Sequence, residues 1–298
     1  MTAESTIAPT QPAPSEAPPG RYRKMTGRSL GYIGKTVMVL LGLLMLAPFW
    51  WTAVTSIVPS AQAFSVPPDW FPTSWDLTNF RQVFILLPFL TEIFNSIKIT
   101  VSIVVGSLIV SSLAAYAFAR LKFPGRAAIF GVFLVALMVP SQVTLIPTYI
   151  LMRYLGLLDT HTSLILPALI QVFSIFMLRQ HFLSLPVEIE EAAKLDGASH
   201  LRILTRIFLP MSSPIISALA IFIASTYWND FVTPNTYLSS PNKLTIPVGL
   251  TSLQNQFGSS PTTVVFAGIT IIVIPLLILF LFTQRKLSEG VSLQGVSK

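Results

Sequence analysis

Residues 190–210 read EEAAKLDGASHLRILTRIFLP. This is the most polar long segment in the second half of a very apolar chain, and its pattern is that of two short helices. Ser184-Leu185-Pro186 supplies a helix start, since a proline in the first turn loses no N–H that the helix would have used. Glu188, Glu190 and Glu191 then fall near the positive end of the helix dipole, and Glu190 stands four residues before Lys194, the favourable order for an ion pair. On a helical wheel Ile189, Ala192 and Ala193 share one face, with Glu190, Glu191 and Lys194 roughly opposite. The two alanines make that face shallow, so another backbone can come close. Asp196-Gly197 ends the helix, because glycine accepts a positive φ. Ser199 is a good N-cap for a second helix. In that helix Leu201, Ile203, Leu204, Ile207 and Phe208 form one arc, and Arg202, Thr205 and Arg206 the other. Pro210 and Pro214 bend the chain back into apolar sequence. The unit fits an interfacial helix with its arginines in a headgroup layer. It also fits a knob for a socket on a soluble protein, and the shallow face, acidic first turn and sharp break are more than lipid contact requires.

The rest of the chain explains why such a unit stands out. Of 298 residues, 52% are hydrophobic and 10% charged, with mean hydropathy +0.70. A soluble domain carries roughly 25% charged residues, so this chain cannot cover a water-facing surface and reads as a polytopic membrane protein. Six apolar runs lie at about 36–58, 93–119, 127–151, 162–182, 211–231 and 264–282. Each approaches the ~20 residues that span ~30 Å of hydrocarbon. A backbone in lipid must satisfy its own hydrogen bonds, which makes these transmembrane helices and the fold class all-α. Ala61-Gln62-Ala63 resembles a signal-peptidase site, but the preceding run exceeds the ~7–15 residues of a secretory core. A retained anchor helix is therefore expected.

Residues 1–28 are rich in Pro, Ala, Ser and Thr and read as a disordered tail, leaving 29–298 as the membrane domain. Lysine and arginine set the orientation. Arg21, Arg23, Lys24, Arg28 and Lys35 precede the first run, and Arg120, Lys122 and Arg126 follow the second. Arg179, Lys194, Arg202 and Arg206 flank or fill the loop 184–210, and Arg285, Lys286 and Lys298 lie in the tail 284–298. The opposite loops hold only Arg81, Arg153 and Lys243, while Lys98 sits within the second run where it can snorkel. This bias places both termini and the loop 184–210 in the cytoplasm. The outer loops 59–92 and 232–263 carry Pro, Ser, Asn and aromatics, a composition open to an external partner or to simple interfacial connectors.

With these features in place, a resemblance is specific. Glu191-Ala192-Ala193, Asp196-Gly197-Ala198, Ile207, Leu209-Pro210 and Pro214, in this order and spacing, resemble the EAA loop of binding-protein-dependent ABC importer permeases. Met138-Val139-Pro140-Ser141-Gln142, Pro147, Trp228-Asn229-Asp230-Phe231, Gln284-Arg285-Lys286 and Glu289-Gly290 resemble the carbohydrate-type subfamily, in particular the six-span subunit of the maltose-type heterodimer. The resemblance implies the type I ABC importer permease fold with cytoplasmic coupling helices. It implies that Glu190, Glu191, Ala192, Ala193, Asp196, Gly197 and Ala198 couple to a cytoplasmic ATPase, with Glu191 facing a basic residue there. It also implies the partners: a second, distinct permease subunit, two ATPase subunits, an extracytoplasmic solute-binding protein and a sugar cargo, all at a prokaryotic plasma membrane. In maltose-type importers the deep sugar site is implied to belong mainly to the partner permease.

Polar groups in or at the ends of spans face protein or a water-filled path. Asn95, Gln142, Gln171, Asn229 and Asp230 are the candidates for the path, against a plainer role as interhelical hydrogen bonds. Ser107/Ser111 and Ala115/Ala119, spaced by four, fit close helix packing. Other chemistry finds no foothold. There are no cysteines. Gly34-Lys35-Thr36 lacks the upstream glycine of a phosphate loop, Ser29 standing in its place. His161, His181 and His200 are scattered, and no H-E-x-x-H or G-x-S-x-G occurs. No catalytic residue, metal or cofactor is expected, nor nucleic-acid binding, since no basic stripe with stacking aromatics is present. Within the importer reading the cargo alternative is another solute such as a phosphorylated polyol. An ion-driven secondary transporter would need a mid-span acid and inverted repeats, and a membrane enzyme a catalytic constellation.

Overall fold

The computed structural model describes residues 27–63, 70–72, 74–256 and 262–295, the last stretch from 283 onward as helical backbone alone. The Pro-rich segment 1–26 lies outside the described residues. Among the described residues every regular element is helical. The chain divides into two compact units, residues 1–49 and 50–298.

The apolar runs become helices, but not all become straight spans. α1 is Gly27–Ser56. After the short α2, Thr78–Leu86, comes the long α3, Phe89–Arg120. The run expected at 127–151 divides into α4, Arg126–Ala136, and α5, Ser141–Tyr154, meeting at 103°. The next run divides into α6, His161–Ala168, and α7, Val172–Ser184, which together form one candidate span. The polar loop forms α8, Val187–Leu195, then α9, His200–Ile203, a π-turn at Leu204–Phe208 and α10, Leu209–Met211. This last segment bends by 81° into α11, Ser213–Trp228. α12 is Val232–Tyr237, α13 Ile246–Gln256 and α14 Thr262–Gly295. Among the described residues four helices are long and apolar enough to cross a membrane, or up to six spans if each bent pair counts as one.

The bends have local causes. Pro140, with an extended ψ of 138°, stands between α4 and α5, and proline both lacks the N–H and disfavours a helical residue before it. Pro214 opens α11 after Ser212 has left helical geometry. Gln171 is extended (φ −99°, ψ 92°) between α6 and α7, four residues after Pro167. The tail beyond 284 continues α14 as helix to Gly295.

α3 is the central rod of the second unit. Ile99 and Ile103 pack with α5, α6 and α11, and Ala115, Tyr116 and Ala119 pack with α7 and the π-turn. Ser107, Ser111 and Ala115 have no exposed surface. At Gly106 a Cβ would lie 2.5 Å from Leu169 Cδ2, so no larger residue fits without moving that side chain. Lipid tails are as apolar as leucine, so spans associate through such close contact rather than through exclusion of water. The opposite face of α3 is bare, with Val101, Val105 and Ile109 exposed, as a lipid-facing surface requires. Buried Asn79 of α2 ties three elements. Its Nδ2 donates to Ser56 O (3.1 Å) and Val58 O (3.0 Å), and its Oδ1 accepts from Thr263 of α14 at 3.0 Å.

Candidate functional site: the loop 184–210 and the helix breaks

Two places carry the polar chemistry. The first is the loop 184–210. Helix α8 starts after Pro186 with Glu188 and Glu190 in its first turn, as its sequence predicts. It ends in a Schellman motif: Gly197 N–H donates to Lys194 O (3.0 Å) and Ala198 N–H to Ala193 O (2.9 Å). Gly197 has φ +75°, a region that L side chains enter only under strain. Ser199 caps the next helix, its Oγ accepting from Arg202 N–H at 3.4 Å.

The orientation of α8 differs from the wheel. Glu190, set by the wheel on the outward polar side, is 3% exposed and points into the bundle. Ile189 and Ala193 flank it, while Ala192 and Glu191 face outward. The two alanines therefore serve different faces. Leu195, 90% exposed, shares the outer face with Glu191 and Glu188. In the second helix Ile203, Leu204 and Phe208 are buried as expected, but Leu201, at the edge of its arc, is 61% exposed.

Arg120 is the cause of the rotation. Its Nε lies 3.5 Å from Glu190 Oε2, an ion pair without hydrogen-bond geometry. Its Nη2 donates to Phe182 O (2.7 Å) and Leu185 O (2.6 Å), carbonyls at the end of α7 and just past it. Its guanidinium carbon stands 5.1 Å from the centre of the Phe208 ring, a cation–π contact. Lys194 Nζ reaches Glu190 Oε1 at 2.7 Å from the water side. One guanidinium thus ties α3, α7, α8 and the π-turn, and the countercharge is what admits Glu190 to the interior. Sequence reading counted Arg120 only as a topology charge; no local signal links it to Glu190.

The second place is where helices break. Gln142 sits exposed in the first turn of α5, just after the α4–α5 bend. Gln171 sits between α6 and α7, its Nε2 donating to Ala168 O (2.9 Å) and to Tyr227 Oη (2.6 Å). Asn229 and Asp230 lie between α11 and α12; Asn229 Nδ2 donates to Ser225 O (2.8 Å), and Asp230 Oδ1 accepts from Thr233 N–H (3.2 Å). Asn95 stands apart from these four. It is buried on α3, and its Nδ2 donates to Asn242 O (3.0 Å) and Leu244 O (2.9 Å), which fastens the loop before α13. The same loop is held by Asp159, whose Oδ1 accepts from Ser239 and Ser240 N–H at 2.9 Å and whose Oδ2 meets Lys243 Nζ at 2.9 Å. The hydroxyl of Ser240 and the Lys243 ammonium hold the Asp159 carboxyl well below the usual carboxylate range.

Comparison with known proteins agrees with this architecture. Residues 107–292 match the family described as binding-protein-dependent transport system inner membrane component. The chain belongs to this family. The permease is 36% identical, over 76% of its length and 81% of the relative's, to the arabinooligosaccharides transport system permease protein AraQ of Halalkalibacterium halodurans. It is 30% identical to the galactooligosaccharides transport system permease protein GanQ of Bacillus subtilis, over 87% of this chain and 93% of that one. A crystal structure of a bacterial ABC transporter involved in the import of the acidic polysaccharide alginate superposes with a TM-score of 0.76 at 26% identity, covering 89% of this chain and 98% of that chain. The permease is thus an all-helical, multi-pass plasma-membrane protein of a transport system, and not itself an enzyme.

Proposed function

We propose that this permease is one of two membrane subunits of an ATP-driven importer that moves a sugar inward. A distinct second permease completes the path, two cytoplasmic ATPase subunits drive it, and an extracytoplasmic solute-binding protein delivers the cargo. The lysine and arginine distribution supports cytoplasmic termini and a cytoplasmic loop 184–210. The oligosaccharides for which AraQ and GanQ are named support a sugar as cargo.

The observation that carries the coupling role is the two-sided build of α8. One side, through Glu190 and Ala193, is fixed to Arg120 and the bundle; the other offers Glu191, Ala192 and a bare Leu195 to a partner. The ATPases move α8 by this outer face, and the Arg120–Glu190 joint passes the motion to α3 as a rigid body. Asp196, Gly197 and Ala198 set the turn that presents the face. Gln142, Gln171, Asn229 and Asp230, each at or beside a helix break, contribute to the path, and Asn95 holds its outer rim. Uptake by cells carrying the whole importer tests the reading. Glu191→Lys and Gly197→Pro abolish uptake while the protein still inserts; normal uptake by both variants would sink the coupling role.

A further inference from the structure

Three interruptions of helix converge on one cavity. It measures about 170 Å³ and is lined by residues that flank each break. Ser141 and Thr144 follow the α4–α5 bend, Pro167 and Ala168 precede the α6–α7 gap, and Tyr227 and Thr233 stand on either side of the α11–α12 gap. Irregular backbone at membrane depth is tolerated where it is buried in protein or lines a water-filled space. Secondary transporters place their cargo sites at such discontinuities, and the same physical reason holds for any path through a helical bundle.

The lining has a definite chemistry. Thr144, Thr148 and Ser163 already give their hydroxyl protons to backbone carbonyls, of Ser141 (2.9 Å), Thr144 (2.7 Å) and Thr160 (2.7 Å). Their oxygens keep lone pairs, so toward the cavity they accept. Tyr227 is the complement. Its phenol oxygen accepts from Gln171 at 2.6 Å, and among the described residues no acceptor takes its proton. Tyr237 adds a second ring, its own proton given to Leu145 O at 3.2 Å. No charged residue lines the cavity. A negative charge stands close by: Asp230 lines a smaller space that shares Leu164, Tyr227 and Thr233 with it.

We infer that this cavity is a subsite for one ring of a neutral sugar, contributed by this subunit and not only by its partner. Acceptor oxygens and a free phenol proton match the mixed donors and acceptors of a polyol. Tyrosine ring faces suit the apolar side of the ring. An acidic sugar would meet no cation and the field of Asp230. This inference rests on the importer reading above and names the cargo class for its path.

Uptake of arabinotriose, galactotriose and the acidic trimannuronate is measured in cells carrying the complete importer, for the wild type, Glu191→Lys and Thr144→Val/Thr148→Val. The subsite is supported if a neutral trisaccharide enters, the trimannuronate does not, and the double variant raises KM about tenfold, the scale of losing one or two hydrogen bonds. A neutral sugar taken up equally well by wild type and double variant overturns the subsite while leaving the importer intact. Uptake of trimannuronate alone overturns the neutral class. Uptake of none of the three overturns the sugar reading itself. Because the chain has no cysteine, Thr144→Cys gives a check independent of transport rates. A charged methanethiosulfonate labels it in the assembled importer, and the transported trisaccharide slows labelling several-fold. A thiol that does not react, or that no sugar protects, overturns the subsite.

Discussion

The joint at Arg120–Glu190 and the cavity at the helix breaks handle polarity inside an apolar protein in opposite ways. The joint concentrates two full charges where water is excluded, and they are tolerable because opposite charge stands beside each, Lys194 adding to the pair at its wet end. The cavity spreads its polarity over hydroxyls whose protons are mostly spent on their own helices, and carries no net charge. The difference teaches what each place can do. Paired charges give a stiff, specific contact fit to pass on a movement. Neutral hydroxyls give a surface that binds and releases a solute without a large desolvation cost.

The largest effect expected from breaking this contrast is at the joint. Arg120→Ala leaves buried Glu190 with only the half-exposed Lys194 as partner, and the permease loses at most about 3–5 kcal/mol of stability. Thermal unfolding of the purified importer in detergent measures the loss. Arg120→Met/Glu190→Leu restores much of it, because a buried pair can be replaced by apolar packing. If the double variant unfolds as early as the single one, the charges are not what holds α8.

Next comes the split between adjacent glutamates. Glu190→Gln removes the buried charge and lowers thermal stability. Glu191→Lys, on the outer face, changes stability by less than about 0.5 kcal/mol and abolishes uptake. Equal destabilisation by both would show that α8 is not rotated as described.

A smaller effect is expected at the turn. Gly197→Ala meets no atom within 4 Å of the new Cβ, so only backbone strain acts. About 1–2 kcal/mol is lost, read as a lower melting temperature with partial uptake retained. The smallest effect is at the Asp159 clamp. The carboxyl of Asp159 is held below its usual range, so its stabilisation is fully present above the unfolded value of about 3.9 and fades as pH falls from there toward the lower folded value. Exchange of the Ser239 and Ser240 amides, compared with standard intrinsic rates, should therefore show the same protection at pH 7 and pH 5. It should rise in Asp159→Ala at both pH values. Loss of protection between pH 7 and pH 5 in the wild type would show that Asp159 does not hold the loop.

Much of this was legible in the residues. The apolar runs located the helices, since each backbone segment in lipid must close its own hydrogen bonds. Gly197 and Ser199 marked the turn because their roles depend on local φ and on a side-chain oxygen beside its own backbone. The break residues Gln142, Gln171, Asn229 and Asp230 stood out as polar groups in apolar surroundings. Other features were not legible. The 103° bend at Pro140 lies inside an apolar run that read as one straight span, whereas Pro210 and Pro214 had already marked the 81° bend. The threonine and tyrosine lining of the cavity looked like ordinary span residues until three gaps came together.

The sequence by itself determined where the apolar helices lie and that α8 stops at Gly197 with positive φ, because those choices rest on neighbours along the chain. It could not decide which of two adjacent glutamates faces inward. A helical wheel orders side chains about an axis but leaves the rotation of that axis free. Here Arg120, at the end of another helix, fixes it: a charge enters the interior only where an opposite charge already stands.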